Sequence, residues 1–281
     1  MARTKNASKE LVYAKLREAL DWCNAHSDSA QQRFNRCVDI IIDPQAYKTR
    51  NQEMKSLFPV LMLSKFSGYR PGIPVKETCL PLDSSDFLDM YFTTWAKKYF
   101  NAWKVLPSQR IASPKGAATD PALIKMVEPR AGSIYIARDW ASYHNLFMSA
   151  ENVGGNLLEE YIYTKVCNYG WMWCRGEVLT AVDFCSMGKE RFIQIKNKSN
   201  TENSSGKGFR EDHDADKWYR MEAQKKDGNI ITRWSDLVKI IQEGAPDGVN
   251  VPTDIMTEES YLDFVRNAAA ANPALITDQE R

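Results

Sequence analysis

No C-x-x-C pair occurs in this sequence, and its three histidines are too few to complete a metal-binding set with the scattered Cys23, Cys37, Cys79, Cys167, Cys174 and Cys185. Neither zinc binding nor a disulfide framework is supported, so the cysteines are expected as reduced thiols, mostly in the core. Long apolar runs are missing as well: none approaches the ~20 residues of a membrane span. The opening Met1-Ala2-Arg3-Thr4-Lys5-Asn6 leads into a polar helix instead of the apolar core of a signal peptide. The expected setting is the cytoplasm, with no membrane partner. Repeats and low-complexity blocks are absent. So is any large charge excess, because a net charge of +1 excludes a chain that simply coats polyanions. Local charge carries more information. Between Lys189 and Arg233, eleven Lys and Arg stand against eight Asp and Glu. An ordinary solvated surface is the alternative reading of that bias.

What the sequence does have is the material of a globular core. Its 281 residues, 43% hydrophobic and 11% aromatic, suffice for one large domain or two small ones. Helices are expected over residues 8–25, capped by Ser8, from about Ser29 to Ile41, ending before Asp43-Pro44, and over 87–102. The Glu53-Met54-Lys55 and Gln224-Lys225-Lys226 stretches are polar and read as helical. Pro, Gly and Ser mark residues 107–121 as a long loop. Residues 1–130 therefore form a mainly helical region, expected to pack on a core comprising 131–281 and to contribute to binding or dimerisation. In that core, Ser133-Ile134-Tyr135-Ile136 reads as a short strand. A helix follows over 156–168, capped by Asn156 with Glu159 completing a capping box and stopped at Gly170. Strands at 171–185 and 191–198 come next, then a helix near 258–270. This order argues for an α/β or α+β domain around a small mixed sheet.

The chemistry concentrates where the strands alternate. Val182 and Phe184 flank Asp183, while Ile193 and Ile195 alternate with Gln194 and Lys196, the period-2 pattern of half-buried strands. If Ser186-Met187-Gly188-Lys189 turns the chain back, burying the apolar set on one face leaves Asp183, Gln194 and Lys196 on the other. The pattern of Glu or Gln, any residue, then Lys occurs three times, but only at Gln194-Ile195-Lys196 does it lie on a strand that follows an Asp-bearing strand at hairpin distance. The alternative is the solvated face of a hairpin.

Hard oxygen ligands suit Mg2+ beside a phosphodiester. Asp183 is the anchoring ligand in this reading, with the Gln194 amide oxygen and the Ile195 carbonyl completing the protein set. Lys196 orients the attacking water or offsets charge in the transition state. A single certain carboxylate calls for a helper acid, and Glu159 and Glu160 on the preceding helix are the candidates. Glu177 lies six residues from Asp183, roughly 20 Å along an extended strand, too far for the same ion. The polar segment after the strand, with Asn197, Lys198, Asn200, Asn203, Ser204, Ser205, Lys207 and Arg210, has the side chains that read base edges and grip phosphates. A flexible polar loop is the other reading of residues 199–208. None of the eight tryptophans is assigned a functional role.

Glu159 on a helix, the Gly170-Trp171 turn, Asp183 and Gln194-Ile195-Lys196 together resemble the PD-(D/E)xK nuclease superfamily over residues 154–198. Val182 stands in place of the usual proline and Gln194 in place of the usual acid. The continuation from Asn197 to Ser205, with Arg210 and Lys217-Trp218-Tyr219-Arg220, is similar to SinI-type restriction endonucleases. The resemblance implies a restriction-endonuclease-like core and a Mg2+-dependent homodimer. Such an enzyme cuts double-stranded DNA at a short specific site and leaves 5′-phosphates. A structure-selective or repair nuclease of the same fold and a catalytically inactive nucleic-acid-binding protein are the alternatives. Gln194 keeps the last alternative open.

Overall fold

The computed structural model describes residues 2–26, 29–41, 48–62, 84–113, 120–186, 188–198, 215–226 and 229–278. A five-stranded mixed sheet forms its centre, in the order β1 (Trp171–Trp173), β2 (Phe184–Ser186), β3 (Phe192–Lys198), β4 (Asp216–Lys226) and β5 (Asn229–Thr232). All neighbours are antiparallel except β3 and β4, which run parallel, with Lys196 paired to Tyr219. A hydrophobic cluster lies on each side of the sheet. Helices α1 (Ala2–Ala25), α2 (Ala30–Ile41), α3 (Lys48–Met62) and α4 (Ser84–Trp103) supply Leu16, Phe34, Leu57, Phe92 and Trp95 to one cluster, which also takes in Met172, Cys185 and Phe192 from the strands. Helices α6 (Ile134–Val166), α7 (Trp234–Gly244) and α8 (Glu258–Ala271) contribute to the other, where Leu158, Ile162, Leu237 and Tyr261 meet Trp171, Phe184, Ile193 and Ile195. Alternation along β3 thus feeds two cores, because neighbouring side chains point to opposite faces.

Several expectations hold. Gly170 adopts φ 77, the left-handed conformation that stops a helix with little strain in a residue lacking Cβ. The Ser186 N–H donates to the Arg191 carbonyl at 2.8 Å, closing the β2–β3 hairpin. Cys23, Cys37, Cys174 and Cys185 are buried thiols outside any disulfide and Cys167 is partly buried, while Cys79 lies outside the described residues. Among the described residues, no helix is long and apolar enough to cross a membrane.

Others need correction. Ser133–Ile136 is no strand, because Ser133 accepts the Ile136 N–H at 3.2 Å and caps α6, which runs 33 residues from Ile134. Its predecessor, α5 (Pro121–Ala131), is capped by Asp120 and ends at Gly132, whose φ of 82 turns the chain into the Ser133 cap. Asn156 is therefore interior to a helix, its side chain bonding the Asn152 carbonyl, and no capping box forms with Glu159. The expected strand over 171–185 is broken. After β1 comes a 3-10 turn, Arg175–Glu177, and Ala181 has a positive φ of 60 before β2 begins. As a result Val182 joins the core made by α1–α4 instead of sharing a face with Phe184. Gln224-Lys225-Lys226 lies in β4, where Lys225 pairs with Ile230. Its polar composition suggested a helix, but pairing with β5 decides the conformation. The Asp43-Pro44 stop lies outside the described residues.

Candidate active site

Asp183 stands where the antiparallel ladder between β2 and β3 ends. Its N–H donates to the Ile193 carbonyl at 2.9 Å, and its Oδ2 accepts the Ile195 N–H at 2.6 Å, so a carboxylate takes the place of the next ladder bond. This fixes the side chain against the middle of β3. A strand residue directs its N–H and C=O to the same side, which places the Ile195 carbonyl on the side of Asp183. Gln194 is buried at 8% exposure, and alternation sets it on the same side of β3 as the half-buried Lys196.

Glu159 reaches this region from α6. Its Oε2 accepts the indole N–H of Trp173 at 2.9 Å. Burial, and then the charge of Asp183, push its carboxyl up to about 8, an effect opposed by the Trp173 hydrogen bond, Lys196 and Arg175. Asp183 is pushed up to about 6 by burial, against the stabilising Ile195 N–H and the charge of Lys196. Two carboxyls and one ammonium thus interact in one partly desolvated region. Glu160, the next residue on α6, is committed elsewhere, since both its oxygens are taken by the N–H (2.8 Å) and hydroxyl (2.6 Å) of Ser108. Glu177 is exposed in the 3-10 turn.

The donor set suits a small hard cation. Among the described residues no group of three or more His, Cys, Asp and Glu is arranged to hold a metal ion. Any ion here would depend on the Asp183 and Glu159 carboxyls supplemented by neutral oxygens, for which the Gln194 amide and the Ile195 carbonyl are the candidates on β3. All four are hard oxygen donors of the kind Mg2+ takes.

The residues expected to meet DNA divide. Lys198 is exposed at the end of β3. Asn197 is engaged within the protein, its Oδ1 accepting Nε of the buried Arg220 at 2.8 Å, and Arg220 also pairs with Glu258. Asn200, Asn203, Ser204, Ser205, Lys207 and Arg210 lie outside the described residues. Trp173 and Arg175 were missed. The Arg175 guanidinium packs 4.6 Å from the centre of the Trp173 ring, beside Glu159. Tryptophan alone is no signal, because most of those here build cores. The position of Trp173 on the strand facing α6 is what marks it.

The mixed sheet flanked by helices is consistent with a restriction-endonuclease-like fold. Residues 136–249, which carry the site from α6 through α7, match the family model described as SinI restriction endonuclease. The chain is 35% identical over 128 residues to the type II restriction enzyme Eco47I of Escherichia coli. It is 34% identical over 128 residues to the type II restriction enzyme SinI of Salmonella infantis. Each alignment takes in 44% of this chain and 50% of the relative, so the chain spans about half the length of the proteins it matches.

Proposed function

We propose that the protein is a type II restriction endonuclease that hydrolyses phosphodiester bonds of double-stranded DNA at a short specific site and leaves 5′-phosphates. The observation that carries this reading is the placement of Asp183, Ile195 and Lys196 around one ladder end, with Glu159 close enough to feel the charges of Asp183 and Lys196, inside the segment similar to restriction enzymes.

Asp183, Gln194 and Ile195, with Glu159 assisting, would hold Mg2+, which when bound would supply Lewis acidity to the attacking water and the scissile phosphate. Asp183 is oriented by the Ile195 N–H, which fixes Oδ2 and leaves Oδ1 outside that bond. Lys196 keeps its ammonium beside both carboxyls and orients the incoming water or balances the oxyanion. Glu159, with its raised affinity for protons, is suited to take up or release one near neutral pH.

Lys198 and the following segment through Arg210 contact DNA in this reading, with Asn and Arg suited to base edges and Lys to phosphates, while Asn197 holds Arg220. The mainly helical region 1–130 contributes to DNA binding or dimerisation beside the catalytic core at 131–281. A homodimer supplies the two matching centres that a near-palindromic site requires, and the cytoplasm is where it acts.

Incubation of the full chain with a sequenced plasmid and Mg2+, alongside an EDTA control, tests the reading. Discrete bands only with Mg2+ support it. A smear or junction-dependent cutting points instead to a repair nuclease, and binding with intact plasmid points to an inactive nucleic-acid-binding protein.

A further inference from the structure

Glu159 owes its position to a residue that has no part in the proposed ligand set. The Trp173 indole holds Oε2 through its N–H at 2.9 Å, and its ring lies parallel to Phe184, the neighbour of Asp183, at 6.2 Å between centres. One side chain therefore contacts the Glu159 carboxylate and packs on the residue beside Asp183.

Behind Trp173 stands an alternating stack of rings and cations. Arg175 lies 4.6 Å from the Trp173 ring and 5.0 Å from Trp103 on α4, and Arg50 on α3 lies 3.6 Å from that same Trp103 ring. Trp103 meets Trp173 edge-on at 5.6 Å and is packed against both hydrophobic clusters. Arg50 also donates to the Tyr163 hydroxyl at 2.6 Å, and the Tyr163 ring sits 5.5 Å from Trp173. The stack thus runs from the helical region outside the matched residues 136–249 to the residue that holds Glu159.

It is built at a cost. Trp103 Nε1 and Arg175 Nη1 are buried with no hydrogen-bond partner among the described residues. Such unsatisfied donors are rare in folded proteins and call for a reason beyond stability. Planar guanidinium groups over indole faces supply one, since each ring is clamped from a defined direction.

We propose that Trp173 is a positioning residue for Glu159, and that the Arg50, Trp103 and Arg175 stack makes helices α3 and α4 part of the support of the cleavage centre. This rests on the proposed function, but only in part. Groups that orient metal-bound carboxylates typically matter about 10- to 100-fold to metal affinity or activity.

The test uses the full chain with Trp173→Phe, which keeps a ring and removes the N–H, and with Arg50→Lys, which keeps the charge and loses the planar group. Two readouts are taken: kcat and KM on plasmid DNA, and the Mg2+ concentration that half-saturates the rise in melting temperature. The expectation for Trp173→Phe is a kcat roughly tenfold lower and a Mg2+ requirement raised to a similar degree, with KM held and the Mg2+-free melting temperature lowered by the smaller buried ring. Arg50→Lys shifts both readouts in the same direction by a smaller factor. If Trp173→Phe leaves kcat and the Mg2+ titration unchanged, the positioning role is overturned. If Arg50→Lys alone leaves them unchanged, the link to α3 is overturned. Should the wild type cut no DNA, the proposed function falls, and the Mg2+ melting titration still decides the role of Trp173.

Discussion

The Asp183 carboxylate accepts the Ile195 N–H at 2.6 Å, so the side chain that anchors the proposed centre is also the last bond of the β2–β3 ladder. Asp183→Asn retains the size and an amide oxygen able to accept that N–H but removes the charge. Cleavage with this variant is expected to fall at least about 100-fold, and Lys196→Ala should fall to the same degree. Circular dichroism and DNA binding by gel shift are expected to remain as in the wild type. Normal turnover by either variant removes these residues from the centre.

The two carboxyls make the metal-free protein sensitive to pH. Glu159 rises from an ordinary 4.5 to about 8, and Asp183 from 3.8 to about 6. A raised folded-state value means that the folded protein binds more protons than the unfolded chain. The stability this contributes is full below about pH 4 and is lost as pH rises towards 8. With EDTA present, the melting temperature is therefore expected to decline across that window. Glu159→Gln should melt about 3 °C or more above the wild type at pH 8, a gap that narrows towards pH 5. An unchanged gap across this range contradicts the account of the raised carboxyl.

Gly176 is required by backbone geometry. It has a φ of 75 in the turn after β1, and a Cβ added there runs into the Lys98 carbonyl of α4. Gly176→Ala should cost about 2 kcal/mol or more, read as a lower urea midpoint. A loss below a few tenths of a kcal/mol shows that α4 can move away freely.

Arg220 ties β4 to α8. Its side chain, 8% exposed, pairs with Glu258 and bonds Asn197, while Glu258 also accepts the Trp234 indole N–H at 2.8 Å. Removing one partner of such a pair leaves the other charge poorly compensated, at about 3 kcal/mol for a well-buried pair. Glu258 is 29% exposed, so Arg220→Met is expected to cost roughly half of that, seen in chemical denaturation.

The legible part of the site was its local alternation. Ile193 and Ile195 do pack with Phe184, as period-2 patterning requires, and Gln194 and Lys196 share the other side of β3. Val182 broke the pattern because the positive φ at Ala181 redirects the chain just before the ladder, and no turn residue at that position signals it. Ser133–Ile136 has the residues of a strand, but Gly132 and the Ser133 cap start a helix there. In β4, Gln224-Lys225-Lys226 has helical propensity that pairing with the distant β5 overrides. The role of Trp173 was not legible for a related reason. An indole reveals whether it packs or donates only when its neighbours from α4 and α6 are in place.

The most direct test of the central claim is sequencing the ends of plasmid fragments produced with Mg2+ by the wild type and Asp183→Asn in parallel. The account predicts 5′-phosphate ends recurring at one short motif for the wild type and intact plasmid for the variant. Ends scattered without a motif, or the same ends from both proteins, contradict it.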